Sequence, residues 1–182
     1  MGLTTEEVHL DSWEPVTVLR TWLTAPAPRM ADAVRTTVET LVTAAGHASM
    51  RCAGPAEVAV LGPLRPCTQV EVRVPVTGSP AAGVLSSLWL RPGGAIARTL
   101  HDPGADDLAT TCEVLLAWVA DHGYQPTGPL TLVHLCTPEQ ALDPGAHLAE
   151  IAVPVTHEQG EQLCPTRCTS SNSNRALPCA SA

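Results

Sequence analysis

The sequence predicts an α+β domain in which one strand-helix-strand-strand unit is used twice, with mainly antiparallel pairing. Three observations carry this. Residues 150–156 read Glu-Ile-Ala-Val-Pro-Val-Thr and residues 71–77 read Glu-Val-Arg-Val-Pro-Val-Thr, so five of seven positions recur about 80 residues apart. At similar offsets Trp13-Glu14-Pro15 is echoed by Trp89-Leu90-Arg91-Pro92, and Ala45-Gly46-His47 by His122-Gly123-Tyr124. Each half also holds one stretch of helical period flanked by strand-like stretches. The spacing exceeds the roughly 20–50 residues of a solenoid repeat. The reading is therefore a single pseudo-symmetric domain over 1–156, with halves at about 8–77 and 84–156, followed by a flexible tail at 157–182 without periodicity.

Val8 to Leu23 is mostly strand-like, and Pro26 and Pro28 stop it; Pro28 suits the first turn of a helix, where a missing N–H is no loss. Over Arg29–Ala45, Met30, Val34, Val38, Leu41, Val42 and Ala45 recur at three- and four-residue steps, which is one apolar helix face ended by Gly46. Glu57–Leu61 reads as a short strand and Gln69–Val76 as a stronger one. There Val70, Val72, Val74 and Val76 point towards the helix and Gln69, Glu71 and Arg73 away, with Pro75 expected to end or bulge the strand. In the second half, Val84–Leu90 and Ala95–Leu100 are extended around a Pro92-Gly93-Gly94 turn. Asp106 is the expected N-cap of a helix whose apolar face is Leu108, Cys112, Leu115, Leu116 and Val119, and Gly123 closes it. Strands over Leu130–Cys136 and Leu148–Val155 follow, joined by a loop around Pro144-Gly145.

Composition narrows the function. A formal charge of −8 and the lack of any Lys argue against direct nucleic-acid binding, which needs clustered basic residues. The shortage of Phe, Tyr and Ile beside abundant Ala, Pro, Val and Gly reads as a GC-rich, bacterial genome. Met1–Pro15 is acidic without an apolar core, so neither an export signal nor a membrane span is expected and the address is cytoplasmic. Seven cysteines in such a chain are expected to be reduced thiols. Cys164, Cys168, Cys179 and His157 match no zinc spacing, so no metal and no cofactor are expected.

Pro92-Gly93-Gly94, His101-Asp102-Pro103-Gly104, Leu115-Leu116-Ala117-Trp118, the run from His122 to Pro129 and Glu150-Ile151-Ala152-Val153-Pro154-Val155 together resemble, in order, the signature of the GyrI-like (AraC-type effector-binding) family. The likeness covers most of residues 8–155 and is stronger in the second half. It implies a curved antiparallel sheet with two helices on one face and a ligand groove between the halves on the other. It also implies a stand-alone binder of hydrophobic, often cationic, aromatic molecules, in drug or toxin resistance or sensing, with a regulator as possible partner. The alternative it implies is a hydrolase that opens cyclopropane-containing DNA-alkylating natural products by glutamate-assisted water attack. The family's functional glutamate falls on Glu150; its usual Tyr is His134 here, and its usual helix aromatic is Cys112.

The residues themselves single out Glu150. Glu71 lies between Gln69 and Arg73 and reads as a solvated ion pair, whereas Glu150 lies between Leu148 and Ala152 with no adjacent cation. A hairpin places His134 opposite Ala149 or Glu150; on a shared face it would make a His-Glu pair able to orient water, and one residue of slip would put it on the other face. Glu150 and His134 are thus the candidate catalytic residues. The candidate ligand contacts are these two with Trp22, Trp89, Cys112, Trp118 and Tyr124. Of these, Trp22 and Trp89 suit stacking on a flat ligand, Trp118 and Tyr124 also suit core or rim positions, and Cys112 also suits an inert buried thiol. His101 reads as either a turn-stabilising or a catalytic residue.

Overall fold

The computed structural model describes residues 7–63, 66–80, 87–102, 107–134 and 149–157. The Asp106 cap, the outer ends of the strands expected at 84–90, 130–136 and 148–155, the Pro144-Gly145 loop and the tail from 158 with its three cysteines lie outside them. In chain order the elements are β1 (His9–Trp13), β2 (Val16–Pro26), α1 (Ala27–His47), β3 (Arg51–Cys52), β4 (Glu57–Val60), β5 (Cys67–Thr77), β6 (Leu88–Arg91), β7 (Gly94–His101), α2 (Leu108–Asp121), β8 (Tyr124–Pro126), β9 (Thr131–His134) and β10 (Ala149–His157). The strands pair antiparallel in the order β1-β7-β10-β9-β4-β5-β2-β6, while β3 adds to β5 and β8 to β10. The fold is α+β: a curled antiparallel sheet that forms a half-barrel, with both helices on one side.

The helices form where the apolar spacing predicts them, except that Leu116 of the expected α2 face is exposed rather than packed. Val34, Val38, Leu41 and Ala45 of α1 pack on Leu19, Val58, Val70, Val72, Val74 and Val76. Cys112, Leu115 and Val119 of α2 pack on Ala97, Ile151, Val153 and Val155. Leu132 of β9 touches both cores. Gly46 does not end α1, which runs to His47. The N–H of Ser49, at φ 60°, donates to Gly46 O (3.1 Å) and that of Met50 to Ala45 O (2.9 Å), a Schellman closure with serine at the left-handed position. At α2 the left-handed residue is the expected Gly123, at φ 72°, and Asp107 holds the N-cap position.

Pro75 neither ends nor bulges β5. Its carbonyl accepts from Ala53 N (2.9 Å), on the side where β4 has stopped pairing and β3 has yet to begin, so the absent N–H leaves no ladder bond unmade.

The halves also exchange strands. β1 pairs with β7 and β2 with β6, and the register is unbroken across the bend: Trp13 faces Gly94 and Val16 faces Arg91. The two bends touch so closely that a Cβ on Gly93 would stand 2.6 Å from Trp13 O. This bent ribbon links the two ends of the strand order, and β4–β9 pairing joins the modules on the other side.

Candidate functional site

Because the valines of β5 and Leu19 of β2 turn to α1, the alternate residues must turn to the hollow of the sheet. Arg20 and Trp22 of β2 lie across from Arg73 and Glu71 of β5; Glu57 of β4 lies across from Arg73 on one side and Val133 on the other. Trp89 and Arg91 share this face through their pairing with Val18 and Val16. Three of the four tryptophans, Trp13, Trp22 and Trp89, therefore lie on one concave surface with arginines and glutamates among them.

The polar groups form two clusters. In the first, Glu71 Oε1 accepts a hydrogen bond from Arg73 Nε (2.9 Å) and faces Arg20 Nη1 at 3.5 Å. Glu57 is held more loosely, with Arg91 Nε 3.5 Å from Oε1 and Arg73 Nη1 3.9 Å from Oε2. Glu57, Glu71, Arg73 and Arg91 are all buried, yet Glu57 Oε2 and Arg91 Nε and Nη1 have no hydrogen-bond partner among the described residues. Burial accordingly raises the Glu57 pKa above the usual carboxylate value despite both arginines, and lowers that of Arg91. The guanidiniums lie against the indoles: Arg20 is 5.1 Å from the Trp22 centroid and 4.7 Å from that of Trp89, Arg73 5.0 Å from Trp89, and Arg91 4.2 Å from Trp13. In the second cluster, Arg98 bridges Glu150 and Asp11 at 2.7 Å each, beside a shallow hollow of about 350 Å³ that His9 and Leu100 also line.

The residues expected from sequence thus separate into three places. Trp22, Trp89 and Glu150 do lie on the concave face. Glu150 is not without a cation, however: Arg98, 52 residues away, donates to it, and that bond raises the arginine's pKa. Nor is Glu71 a solvated pair, since it is 4% exposed beneath Arg20 and Arg73. His134 pairs with Ala149 while Glu150 pairs with Val133, so histidine and glutamate stand on opposite faces of the sheet and the expected His-Glu pair does not form. Cys112 is buried under α2, where burial raises its thiol pKa. His101 is also on the helix side, its Nδ1 3.0 Å from Thr111 Oγ1. Trp118 and Tyr124 belong to a stack at the end of α2, with ring centroids 3.9 Å apart for Trp118–His122, 6.4 Å for Trp118–Tyr124 and 5.0 Å for Tyr124–His157.

Sequence reasoning did not place Glu57, Arg20, Arg91 or Trp13 in the site, and read Arg73 only as the partner of Glu71 in a solvated pair. The signal was there for two of them: Arg20-Thr21-Trp22 and Trp89-Leu90-Arg91 put arginine and tryptophan two apart, hence on one strand face.

No protein-family model and no curated protein matches the sequence. Solved structures do match in fold. The EcmrR C-terminal domain aligns with a TM-score of 0.69 at 15% identity, covering 85% of this chain and 99% of that one. In an EcmrR-DNA complex the TM-score is 0.64 at 15% identity, and the match covers 85% of this chain and 59% of the longer EcmrR chain. A hydrolase from Listeria innocua aligns at 0.56 and 12% identity, covering 83% of this chain and 92% of that one. At these identities the likeness is one of fold. No helix among the described residues is long and apolar enough to cross a membrane.

Proposed function

We propose that the chain binds a flat, hydrophobic aromatic small molecule on the concave face between its two modules, as a drug- or toxin-binding protein in resistance or sensing. The observation that carries this is the gathering of Trp13, Trp22 and Trp89 on the surface away from both helices, with Trp22 left 56% exposed. A large indole face open to solvent inside a curved sheet is the kind of surface on which an aromatic ligand removes apolar area from water. The fold shared with the EcmrR C-terminal domain is in keeping with this reading. Water activation by Glu150 with His134 gains no support, because Arg98 holds the glutamate and the histidine faces the other way.

Fluorescence titration with a neutral pyrene alcohol tests the reading. Trp22→Ala should weaken binding by about 1 kcal/mol or more, roughly fivefold in Kd. Trp118→Leu, on the other side of the sheet, should leave it unaltered. Equal affinity in wild type and Trp22→Ala would overturn the assignment.

A further inference from the structure

The charges on the concave face point to the kind of ligand, an inference that rests on the binding reading above. In the first cluster three guanidiniums, Arg20, Arg73 and Arg91, face two carboxylates, Glu57 and Glu71. Within this cluster the surplus is positive, in a chain whose formal charge is −8, while Arg98 with Glu150 and Asp11 on the same face brings the two signs to four each. Glu71 Oε1 must serve both Arg73 at 2.9 Å and Arg20 at 3.5 Å, so Arg20 has the poorer share. Arg20 is also the most accessible of the three, its side chain 27% exposed against 7% for Arg73 and 10% for Arg91. Arg91 Nε and Nη1 are buried and make no hydrogen bond among the described residues.

A cationic ligand would find little on this face. Glu57, Glu71, Glu150 and Asp11 each already face an arginine, and the Trp22 and Trp89 rings already carry the Arg20 guanidinium. We propose that the ligand is an aromatic anion, bearing a carboxylate or comparable oxyanion beside its ring, with Arg20 receiving the anionic group and Trp22 the ring. The planar fork of arginine matches a carboxylate in two parallel hydrogen bonds, and stacking against indole holds the fork in orientation.

The test uses the full chain and three probes with one ring system: pyrenebutyrate, pyrenebutanol and pyrenemethylammonium, titrated by fluorescence anisotropy. Pyrenebutyrate should bind on the order of tenfold tighter than the alcohol, and the ammonium compound more weakly than either. In Arg20→Gln the butyrate-to-alcohol ratio should fall to near unity. Arg20→Lys keeps the charge beside Glu71 but loses the fork, and should lower the ratio severalfold, which decides the matter if the glutamine variant does not fold. If the ammonium probe binds as well as the butyrate, or both Arg20 variants keep the wild-type ratio, the anion proposal is overturned while aromatic binding stands. If none of the three probes binds, the groove reading fails and the proposal falls with it.

Discussion

Glu57 is the residue whose setting differs most from what its local sequence indicates. In Glu57-Val58-Ala59-Val60 it reads as the polar end of a short strand, yet it is 4% exposed and its Oε2 has no hydrogen-bond partner among the described residues. Burial raises its pKa, with Arg91 and Arg73 only partly offsetting the effect. A carboxyl with a raised folded pKa keeps its proton in the folded state at pH values where the unfolded chain has released it. Its contribution to stability is therefore most favourable below the ordinary value of 4.5, falls as pH climbs from there to the raised value, and is constant above that. Urea unfolding of wild type and Glu57→Gln from roughly pH 4 to pH 7 should show wild type losing stability relative to the variant as pH rises. A flat or rising difference would refute the assignment. Glu150 illustrates the reverse case: its near neighbours in sequence are apolar, and its cation arrives from β7.

At the level of elements, the ends of α1 and the bent ribbon make the sharpest claims. Ser49 occupies a left-handed position that costs a non-glycine residue free energy, and Gly78, at φ 112°, is the next such residue among those described. Ser49→Gly should stabilise the protein by about 0.5–1 kcal/mol, read as a higher midpoint in thermal unfolding, because the Schellman hydrogen bonds are kept and the strain is removed. Gly93 makes the opposite claim. A methyl group there would meet Trp13 O at 2.6 Å and Pro15 Cδ at 2.8 Å, so Gly93→Ala should destabilise by about 1–3 kcal/mol, with urea unfolding as the measure. The helices and the valine face of β5 were legible in sequence, because three- and four-residue steps and strict alternation are local properties. The second face of β5 was not. Alternation tells which residues lie together, but a polar face reads as solvated whether it meets water or the inside of a curl, and so Glu71 and Arg73 were misplaced.

Across the whole molecule, two separate apolar cores lie under one continuous sheet. Leu132 touches both, β4–β9 pairing joins the modules on one side, and the ribbon of β1–β2 with β6–β7 joins them on the other. Neither module can then lose its core without opening pairings of its neighbour. Far-ultraviolet circular dichroism and tryptophan fluorescence should report one coincident urea transition, even though Trp118 sits on α2 and Trp22 on the opposite surface. Two resolved transitions would show that the modules unfold independently.

The duplicated motif, the two amphipathic helices, the helix-ending glycine at 123 and the sharing of strand faces by Arg20 with Trp22 all follow from order and period along the chain. Those are contacts between residues a few positions apart, and no remote partner is needed to specify them. The exchange of β1 and β6 between halves, the side of the sheet on which His134 stands and the pairing of Arg98 with Glu150 were settled by the tertiary fold alone. Register and ion pairing depend on which distant strands are brought within a few ångströms, and that proximity exists only once the sheet has closed.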